Sequence, residues 1–156
     1  MSNRGYFGIG IEHGKTGVNL GTLWRSAYQL GASFIFTIGR RYALQASDTP
    51  KTHQSVPLYH YDNLDHFNGH RPHGCRLIGV EFGGKLLEGF WHPERAIYLL
   101  GAEDHGLTKR AQAMCNGIVT LSSVRLASYN VAVAGSLVMY SRLQQQSNPV
   151  GVHALA

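Results

Sequence analysis

Side chains that could bind or activate a substrate occur in three separate parts of this 156-residue chain. The first part pairs an amide with a guanidinium, the second contributes a carboxylate, and the third contributes a hydroxyl and an amide. Amides, hydroxyls and carboxylates hold polar ligands by hydrogen bonds, and a guanidinium binds phosphate or stabilises a developing negative charge. The five residues are Asn19, Arg25, Glu103, Ser128 and Asn130.

The carboxylate of Glu103 lies in a loop that has a glycine at each end, Gly101 and Gly106. The apolar run at residues 96–100 precedes this loop and is typical of a buried parallel strand. Ligands bind at the carboxyl ends of strands in open α/β sheets, and glycine allows close backbone approach to them. An ordinary turn between a strand and a helix would have the same pattern, with its acidic residues near the helix start.

A helix is predicted to begin with Asn19 as its N-cap and to end at Gly31. Its core face leaves Arg25 on a different stripe, from which the guanidinium could point towards the strand ends. A cap and a solvated surface charge are the ordinary roles of these two residue types. The apolar residues at helical spacing are Leu20, Leu23, Trp24, Ala27 and Leu30.

Strands and helices alternate along the rest of the chain, apart from a polar region at residues 39–74 with an apolar island at 56–59. This alternation predicts a single α/β domain, residues 1–156, with a mostly parallel sheet flanked by helices. The predicted strands cover residues 6–11, 34–38, 77–81, 96–100 and 118–121, and the predicted helices cover residues 19–30, 108–115 and 130–145.

The charge and the cysteine content indicate the environment of the protein. Lys and Arg number 14 against 9 Asp and Glu, which gives a net charge of +5 and favours a polyanionic partner such as nucleic acid. Cys75 and Cys115 are interpreted as reduced thiols of a cytoplasmic protein. No signal peptide is evident, and the apolar window at residues 129–140 is too short to cross a bilayer. A soluble protein with no membrane partner is expected.

The last predicted helix is apolar or small on almost every side between residues 131 and 140. Such a helix must be covered on every side. Either a second subunit or the rest of its own domain could cover it, and the sequence favours neither.

Two further patterns suggest other chemistry. Gly8, Gly10 and Gly14 resemble a dinucleotide-binding loop, but the spacing differs and no acidic residue follows at the required distance. Five histidines between residues 53 and 73, with Cys75, match no zinc signature, so we expect no metal.

Three motifs in order carry a resemblance to a known family. They are Asn19-Leu20-Gly21-x-x-x-Arg25, Leu99-Leu100-Gly101-x-Glu103-x-x-Gly106-Leu107 and Ser128-x-Asn130-Val131-x-Val133-Ala134. Together they resemble the motifs of the SpoU (TrmH) family of RNA ribose 2′-O-methyltransferases, within the SPOUT class. The resemblance extends over residues 8–142. Two departures are the segment at residues 120–126, which lacks the usual proline, and Tyr129, where leucine is usual.

The resemblance implies a parallel α/β sheet whose carboxyl-terminal part is threaded into a deep trefoil knot. It also implies that S-adenosylmethionine binds in the knot and that two chains form a homodimer through the C-terminal helix. The chain resembles the minimal members of the family, many of which act on tRNA. The expected partner is therefore RNA, with tRNA favoured over rRNA.

The resemblance also implies roles for individual residues. Arg25 is the expected central catalytic residue, since the matching arginine of the family is assigned to activating the 2′-hydroxyl. A guanidinium stays protonated, so on physical grounds we expect Arg25 to bind phosphate and hydroxyl together and to stabilise the developing alkoxide, with the general base unassigned. Asn19 would hold Arg25 or the RNA in register, and Glu103, Ser128 and Asn130 would complete the catalytic pocket. The residues expected to contact the cofactor are Ile78, Gly79, Gly101, Glu103, Leu121, Leu126 and Asn130.

Two other functions fit the same sequence. One is a non-catalytic RNA-binding protein with the same knotted fold, and the other is a nucleotide-dependent oxidoreductase built on the loop at Gly8 and Gly10. The presence of Asn19, Arg25, Glu103 and Asn130 favours the methyltransferase.

Overall fold

The computed structural model describes residues 5–41 and 54–147. Its strands are β1 (Tyr6–Glu12), β2 (Phe34–Ile38), β3 (Leu58–Tyr61), β4 (Arg76–Leu86), β5 (Arg95–Leu100) and β6 (Gly117–Thr120), and its helices are α1 (Gly17–Leu30), α2 (Leu64–His70), α3 (Lys109–Met114) and α4 (Val131–Ser147). A short 3₁₀ helix at Leu87–Gly89 follows β4.

The strands form one sheet in the order β3-β2-β1-β5-β4-β6, and every neighbouring pair is parallel. The predicted α/β class with a parallel sheet flanked by helices is confirmed. Parallel strands need crossover connections, and helices α1, α2 and α3 lie in those between β1 and β2, β3 and β4, and β5 and β6. The carboxyl ends of the strands therefore lie along one edge of the sheet.

Helices cover both faces of the central strands. Along β5, Tyr98 belongs to the apolar layer under α1 and α4, whereas Leu99 belongs to the layer under α2 and α3. Both residues are fully buried, because successive side chains of a strand point to opposite faces. This burial explains why β5 is an uninterrupted apolar run rather than an alternating one.

Helix α1 begins two residues earlier than predicted. Thr16 is its N-cap, and the hydroxyl of Thr16 accepts a hydrogen bond from the backbone N–H of Asn19 at 3.4 Å. The prediction that Asn19 caps the helix is wrong, since Asn19 lies in the first turn with its side chain available for other contacts. The predicted end is confirmed, because Gly31 has φ 90° and caps the helix in the left-handed conformation.

Two elements differ from their predicted extent. Strand β4 continues to Leu86, with an irregularity against β6 between Val80 and Lys85. Helix α2 was not predicted, because its polar sequence contains a glycine and only Leu64 and Phe67 are buried. In the part of the chain that the structure describes, no helix is long and apolar enough to cross a membrane.

Helix α4 is covered by its own domain on one side only. Gly135 lies against Leu23 of α1 and Leu100 of β5, where an added Cβ would have too little room. On the opposite side Val133 and Tyr140 are 46% and 54% exposed. The fold of a single chain thus leaves an apolar stripe of α4 uncovered.

His92 ties the start of β5 to the end of α4. Its ring nitrogens lie 2.7 Å from the Tyr98 hydroxyl and 2.9 Å from the Ser141 hydroxyl. Its backbone exchanges two hydrogen bonds with the Gln145 amide, at 2.7 and 2.9 Å. Such a fully bonded, buried ring fixes the helix end against the sheet.

Arg142 strengthens the same contact although it is only 2% exposed. Its guanidinium donates hydrogen bonds to the carbonyl oxygens of Pro93 and Glu94 at 2.5 and 2.7 Å and lies 5.0 Å from the centre of the Phe7 ring. Carbonyl dipoles and an aromatic face thus stabilise a buried cation.

The burial of His92 predicts a pH-dependent stability. Burial, followed by the charge of Arg142, lowers the pKa of His92 to about 4. Between pH 6.5 and 4 the unfolded imidazole therefore takes up a proton that the folded one refuses. We expect the free energy of unfolding to fall by up to about 3 kcal/mol over this window, as measured by urea denaturation.

His92→Gln should remove most of this slope, whereas His73→Gln, at an exposed histidine, should leave it unchanged. Equal slopes for the wild type and His92→Gln would show that another group controls the acid sensitivity.

Candidate active site

Three side chains from the three motifs meet at the carboxyl edge of the sheet. The Asn19 amide nitrogen donates a hydrogen bond to Glu103 Oε1 at 2.5 Å. The Asn130 amide nitrogen donates a hydrogen bond to Asn19 Oδ1 at 2.9 Å. We call Asn19, Glu103 and Asn130 the polar triad. Its members come from α1, from the loop after β5 and from the start of α4.

Two members of the triad are held by the helices to which they belong. Asn130 Oδ1 accepts hydrogen bonds from the N–H groups of Ala132 and Val133, at 2.9 and 3.3 Å, so Asn130 also caps α4. Asn19 is fixed within the first turn of α1. The triad therefore holds the amino-terminal ends of two helices beside one loop.

Two buried or half-buried carboxylates hold the loop that carries Glu103. Glu12, 1% exposed at the end of β1, accepts hydrogen bonds from the Thr108 backbone N–H and hydroxyl at 2.9 and 2.8 Å. Glu81, in β4, accepts one from the Leu107 N–H at 2.8 Å. Neither residue was predicted from the sequence. An acidic residue ending an otherwise apolar strand is the signal that could have found them.

The loop closes tightly on itself. The Gly106 N–H donates to the Ala102 carbonyl at 2.9 Å, and Gly106 has φ 65°, which favours glycine. A Cβ on Gly101 would overlap the backbone of Gly106 and Leu107. Both glycines of the motif are therefore required by local geometry.

A cavity of about 240 Å³ lies beside the triad. Strand β4 and the segments that follow β5 and β6 form its walls, together with the first turns of α4. Both apolar and polar residues line it, which suits a ligand with both kinds of group. Its lining residues are Val80, Glu81, Phe82, Leu100, Gly101, Ala102, Glu103, Asp104, His105, Gly106, Thr120, Leu121, Ser128, Tyr129, Val131 and Ala134.

Some of the expected cofactor residues line this cavity and others do not. Gly101, Glu103 and Leu121 line it, and so does Ser128. Asn130 adjoins it through the triad.

Three residues are placed elsewhere. Ile78 and Gly79 are buried in the sheet below the cavity, because β4 runs on to Val80 and beyond before it reaches the site. Leu126 is fully exposed and lines a neighbouring groove instead. The residues that β4 contributes to the cavity are Val80, Glu81 and Phe82.

One oxygen of the triad has no partner. Glu103 Oε2 is buried and accepts no hydrogen bond within the described residues. A buried acceptor of this kind costs free energy unless a donor reaches it. It therefore marks a place where the N–H or O–H group of a ligand would bind.

An ion pair and a hydrogen bond that closes a loop lie at the mouth of the cavity. Lys15 pairs with Asp104 and donates a hydrogen bond that lowers the pKa of this carboxyl group. The Tyr129 hydroxyl donates to the Ser122 carbonyl at 2.6 Å and closes the segment between β6 and α4. Tyr129, unusual at its position, thus takes part in shaping this segment.

Arg25 stands apart from the triad. It is exposed on α1, does not line the cavity and forms no hydrogen bond or ion pair among residues 5–41 and 54–147. Six residues of helix separate it from Asn19, which corresponds to about 9 Å along the axis. Because α1 runs back from the carboxyl edge of the sheet, this distance leads away from the site.

The histidines and Cys115 belong to the residue types that bind metal ions or act as reactive thiols. Among the described residues, no group of three or more His, Cys, Asp or Glu side chains is placed to hold a metal ion, and His53 lies outside those residues. Burial raises the pKa of Cys115 to about 11, which keeps the thiol protonated and unreactive.

Solved structures share this fold. AviRb, a SpoU methyltransferase from Streptomyces viridochromogenes, superposes with a TM-score of 0.77 at 21% identity over 92% of this chain and 61% of its own. The chain thus spans about three fifths of the length of AviRb. AviRb has also been solved in complex with the cofactor AdoMet, with a TM-score of 0.74 at 23% identity over 92% of this chain and 59% of its own.

Two further neighbours are proteins linked to tRNA. The A. aeolicus TrmH/SpoU tRNA modifying enzyme has a TM-score of 0.81 at 15% identity, over 95% of this chain and 78% of its own. A structure described under the 2-OH methylation of C/U34 on tRNA has a TM-score of 0.76 at 22% identity, over 92% of both chains.

The sequence comparisons agree with the motif analysis. No curated protein matches the chain. The profile described as the SpoU rRNA Methylase family matches residues 9–140, a range that contains all three motifs and every member of the polar triad. The chain belongs to the SpoU rRNA methylase family.

Proposed function

We propose that the protein is an S-adenosylmethionine-dependent RNA methyltransferase that methylates a ribose 2′-hydroxyl. The observation that carries this proposal is the polar triad, in which Asn19 is bonded to Glu103 and Asn130 beside a cavity at the carboxyl edge of the sheet. The net charge of +5 suits an RNA substrate. tRNA is favoured over rRNA, because the neighbour linked to tRNA methylation matches this chain over 92% of both lengths.

The residues of the cavity fit S-adenosylmethionine. Val80, Leu121 and Val131 supply apolar walls, and the unpartnered Glu103 Oε2 supplies an acceptor for an amino or hydroxyl group. Gly101 lets the ligand approach the backbone. When bound, the cofactor supplies a methyl group activated by a positively charged sulfur.

The chain's own residues must orient the hydroxyl and manage its charge. Negative charge would develop on the 2′-oxygen as a base removes its proton, and it would be neutralised as the new oxygen–carbon bond forms. The guanidinium of Arg25 remains protonated and can bind the neighbouring phosphate and this oxygen together. Electrostatic stabilisation of the developing alkoxide is therefore its proposed role. Asn19, held on both sides, would position the substrate.

In a homodimer, Arg25 of one chain could reach the polar triad of the other chain. In one chain Arg25 is exposed and about 9 Å along the helix from the triad. The uncovered stripe of α4 lies beside α1, to which α4 is joined by a hydrogen bond between Ser26 and Ser136 at 2.9 Å. A second copy packed on this stripe would cover Val133, Leu137 and Tyr140. We propose that Arg25 of each copy serves the triad of the other.

The proposal includes a trefoil knot in the carboxyl-terminal part. Its support is that β4 and the segments after β5 and β6 meet around one cavity, with Gly101 against the backbone of Gly106. The family resemblance supplies the topology of the knot itself.

The proposed catalytic role of Arg25 predicts that its removal lowers the rate of methyl transfer without weakening cofactor binding. Radiolabelled methyl transfer from S-adenosylmethionine should label unmodified tRNA as 2′-O-methylribose. Arg25→Ala should lower the rate by about 100-fold or more, the usual effect of removing a group that stabilises transition-state charge. Cofactor affinity measured by calorimetry should be unchanged.

Arg76→Ala, at an exposed arginine at the amino end of β4, is the matched control and should retain full transfer. RNA binding without any transfer by the wild type would instead favour the non-catalytic RNA-binding protein. Absence of cofactor binding by the wild type would defeat the methyltransferase proposal.

The proposed location of the cofactor site predicts that a substitution at Gly101 weakens cofactor binding. In Gly101→Ala the new methyl group would displace the backbone of Gly106 and Leu107, and such overpacking costs about 1–3 kcal/mol. The dissociation constant of S-adenosylmethionine should rise about tenfold or more. Gly117→Ala is the control, since its Cβ would meet only Ile78 Cδ1, at 3.7 Å. Equal affinities for the two variants would place the cofactor elsewhere.

If each active site combines the triad of one chain with Arg25 of the other, two inactive variants should complement each other in a heterodimer. Heterodimers of Arg25→Ala with Glu103→Ala, purified through two different tags, should have about half the wild-type activity, since one of the two sites is then complete. Each variant homodimer should be inactive. An inactive heterodimer would show that Arg25 acts within its own chain.

A further inference from the structure

A second concavity adjoins the proposed cofactor site on the side of β4 and β6. It has a volume of about 620 Å³ and is open to solvent. The two concavities share the walls formed by Phe82, Leu121 and Ser128. We call this surface the rim groove. Its lining residues are Phe82, Leu86, Leu121, Ser122, Ser123, Arg125, Leu126, Ala127 and Ser128.

Phe82 projects into the rim groove from a backbone that is firmly held. The ring-bearing residue is 61% exposed, yet its N–H donates to Glu81 Oε1 at 2.9 Å. The Thr120 hydroxyl donates to the Glu81 carbonyl at 2.6 Å and accepts from the Gly84 N–H at 2.7 Å. These bonds fix the irregular stretch of β4 that carries the ring.

Exposed apolar side chains that lie together mark interaction sites, and Leu86 and Leu126, which are 54% and 109% exposed, line the same groove as Phe82. An exposed aromatic ring gains nothing from burial, and the polar bonds beneath it hold it out to solvent. A rigid aromatic ring offers a large flat contact to a ligand at little cost in conformational entropy. The groove is therefore suited to a flat, partly apolar ligand.

The charged and hydroxyl groups of the groove restrict the chemical class of the ligand further. Arg125 is the only charged residue among the described residues that line the groove, and Ser122, Ser123 and Ser128 are exposed beside it. A guanidinium binds phosphate, and hydroxyls bond to the edges of heterocycles. A nucleobase with an attached phosphate combines a flat ring, polar edges and negative charge.

We propose that the rim groove holds an unpaired nucleobase of the RNA substrate, stacked on Phe82, with Arg125 at the adjoining phosphate. This inference rests on the proposed function and names the place where the substrate lies relative to the cofactor. Because the groove and the cavity share a wall, the ribose of the stacked nucleotide or of its neighbour lies next to the proposed cofactor site. Phe82 is thus a positioning residue for the methyl transfer.

The test uses a short unstructured oligoribonucleotide that contains 2-aminopurine, whose fluorescence is quenched on stacking. Binding is measured to the full chain saturated with S-adenosylhomocysteine. Phe82→Ala should raise the dissociation constant by about fivefold or more, the effect of losing one base-stacking contact. Phe82→Trp, which keeps an aromatic face, should bind as well as the wild type and retain the quenching.

Arg125→Gln should weaken the same binding at low salt, and the difference from the wild type should shrink as salt is raised, since a phosphate contact is lost. Tyr59→Ala is the matched control, because Tyr59 is a 48% exposed aromatic on β3 at the opposite edge of the sheet. It should behave as the wild type. The thermal midpoint should be the same in all variants, and Arg125→Gln and Tyr59→Ala, whose side chains do not line the cofactor cavity, should bind S-adenosylmethionine as the wild type does.

Each contrary result has a distinct meaning. Unchanged oligonucleotide binding by Phe82→Ala, or no binding by the wild type, would overturn the rim-groove inference. Weakened S-adenosylmethionine binding with unchanged oligonucleotide binding would overturn it too and assign Phe82 to the cofactor site. A wild type that binds the oligonucleotide through Phe82 but transfers no methyl to any RNA would defeat the proposed function and leave the groove intact.

Discussion

The two hydrogen bonds of the Asn19 side chain are the interaction on which the candidate site depends. Through them one amide joins the loop after β5 to the start of α4, across sequence separations of 84 and 111 residues. An amide can do this because it donates and accepts at once, whereas a carboxylate or an ammonium group could satisfy only one neighbour. The capping of α1 by Thr16 leaves Asn19 free for this role.

Carboxylates add directional hydrogen bonds to the apolar packing around the triad. Glu12 and Glu81 each accept backbone N–H groups from the loop that carries Glu103, and Glu81 also holds the backbone of Phe82. Charge-assisted hydrogen bonds are short and directional, so they position a loop more sharply than apolar contacts do. At the far end of the sheet, His92 and Arg142 fix the end of α4 in a comparable way.

Much of the fold could be predicted from the sequence. Uninterrupted apolar runs located the central strands, and glycine and helical spacing located the end of α1. Helix α2 and the extension of β4 could not be predicted, because a polar seven-residue helix and an exposed strand have weak periodic signals. Both depend on tertiary contacts for their stability.

For the site, the sequence by itself determined the residue types and the family, through three motifs that lie within the matched range. Only the tertiary structure decided which of those residues meet. It joined Asn19, Glu103 and Asn130, placed Ile78 below the cavity and left Arg25 outside it. The physical reason is that side-chain contacts depend on the rotation of each helix and the exact end of each strand. A shift of a few residues in the end of an element, as at the start of α1 and the end of β4, changes where a side chain points without changing the pattern from which the element is predicted.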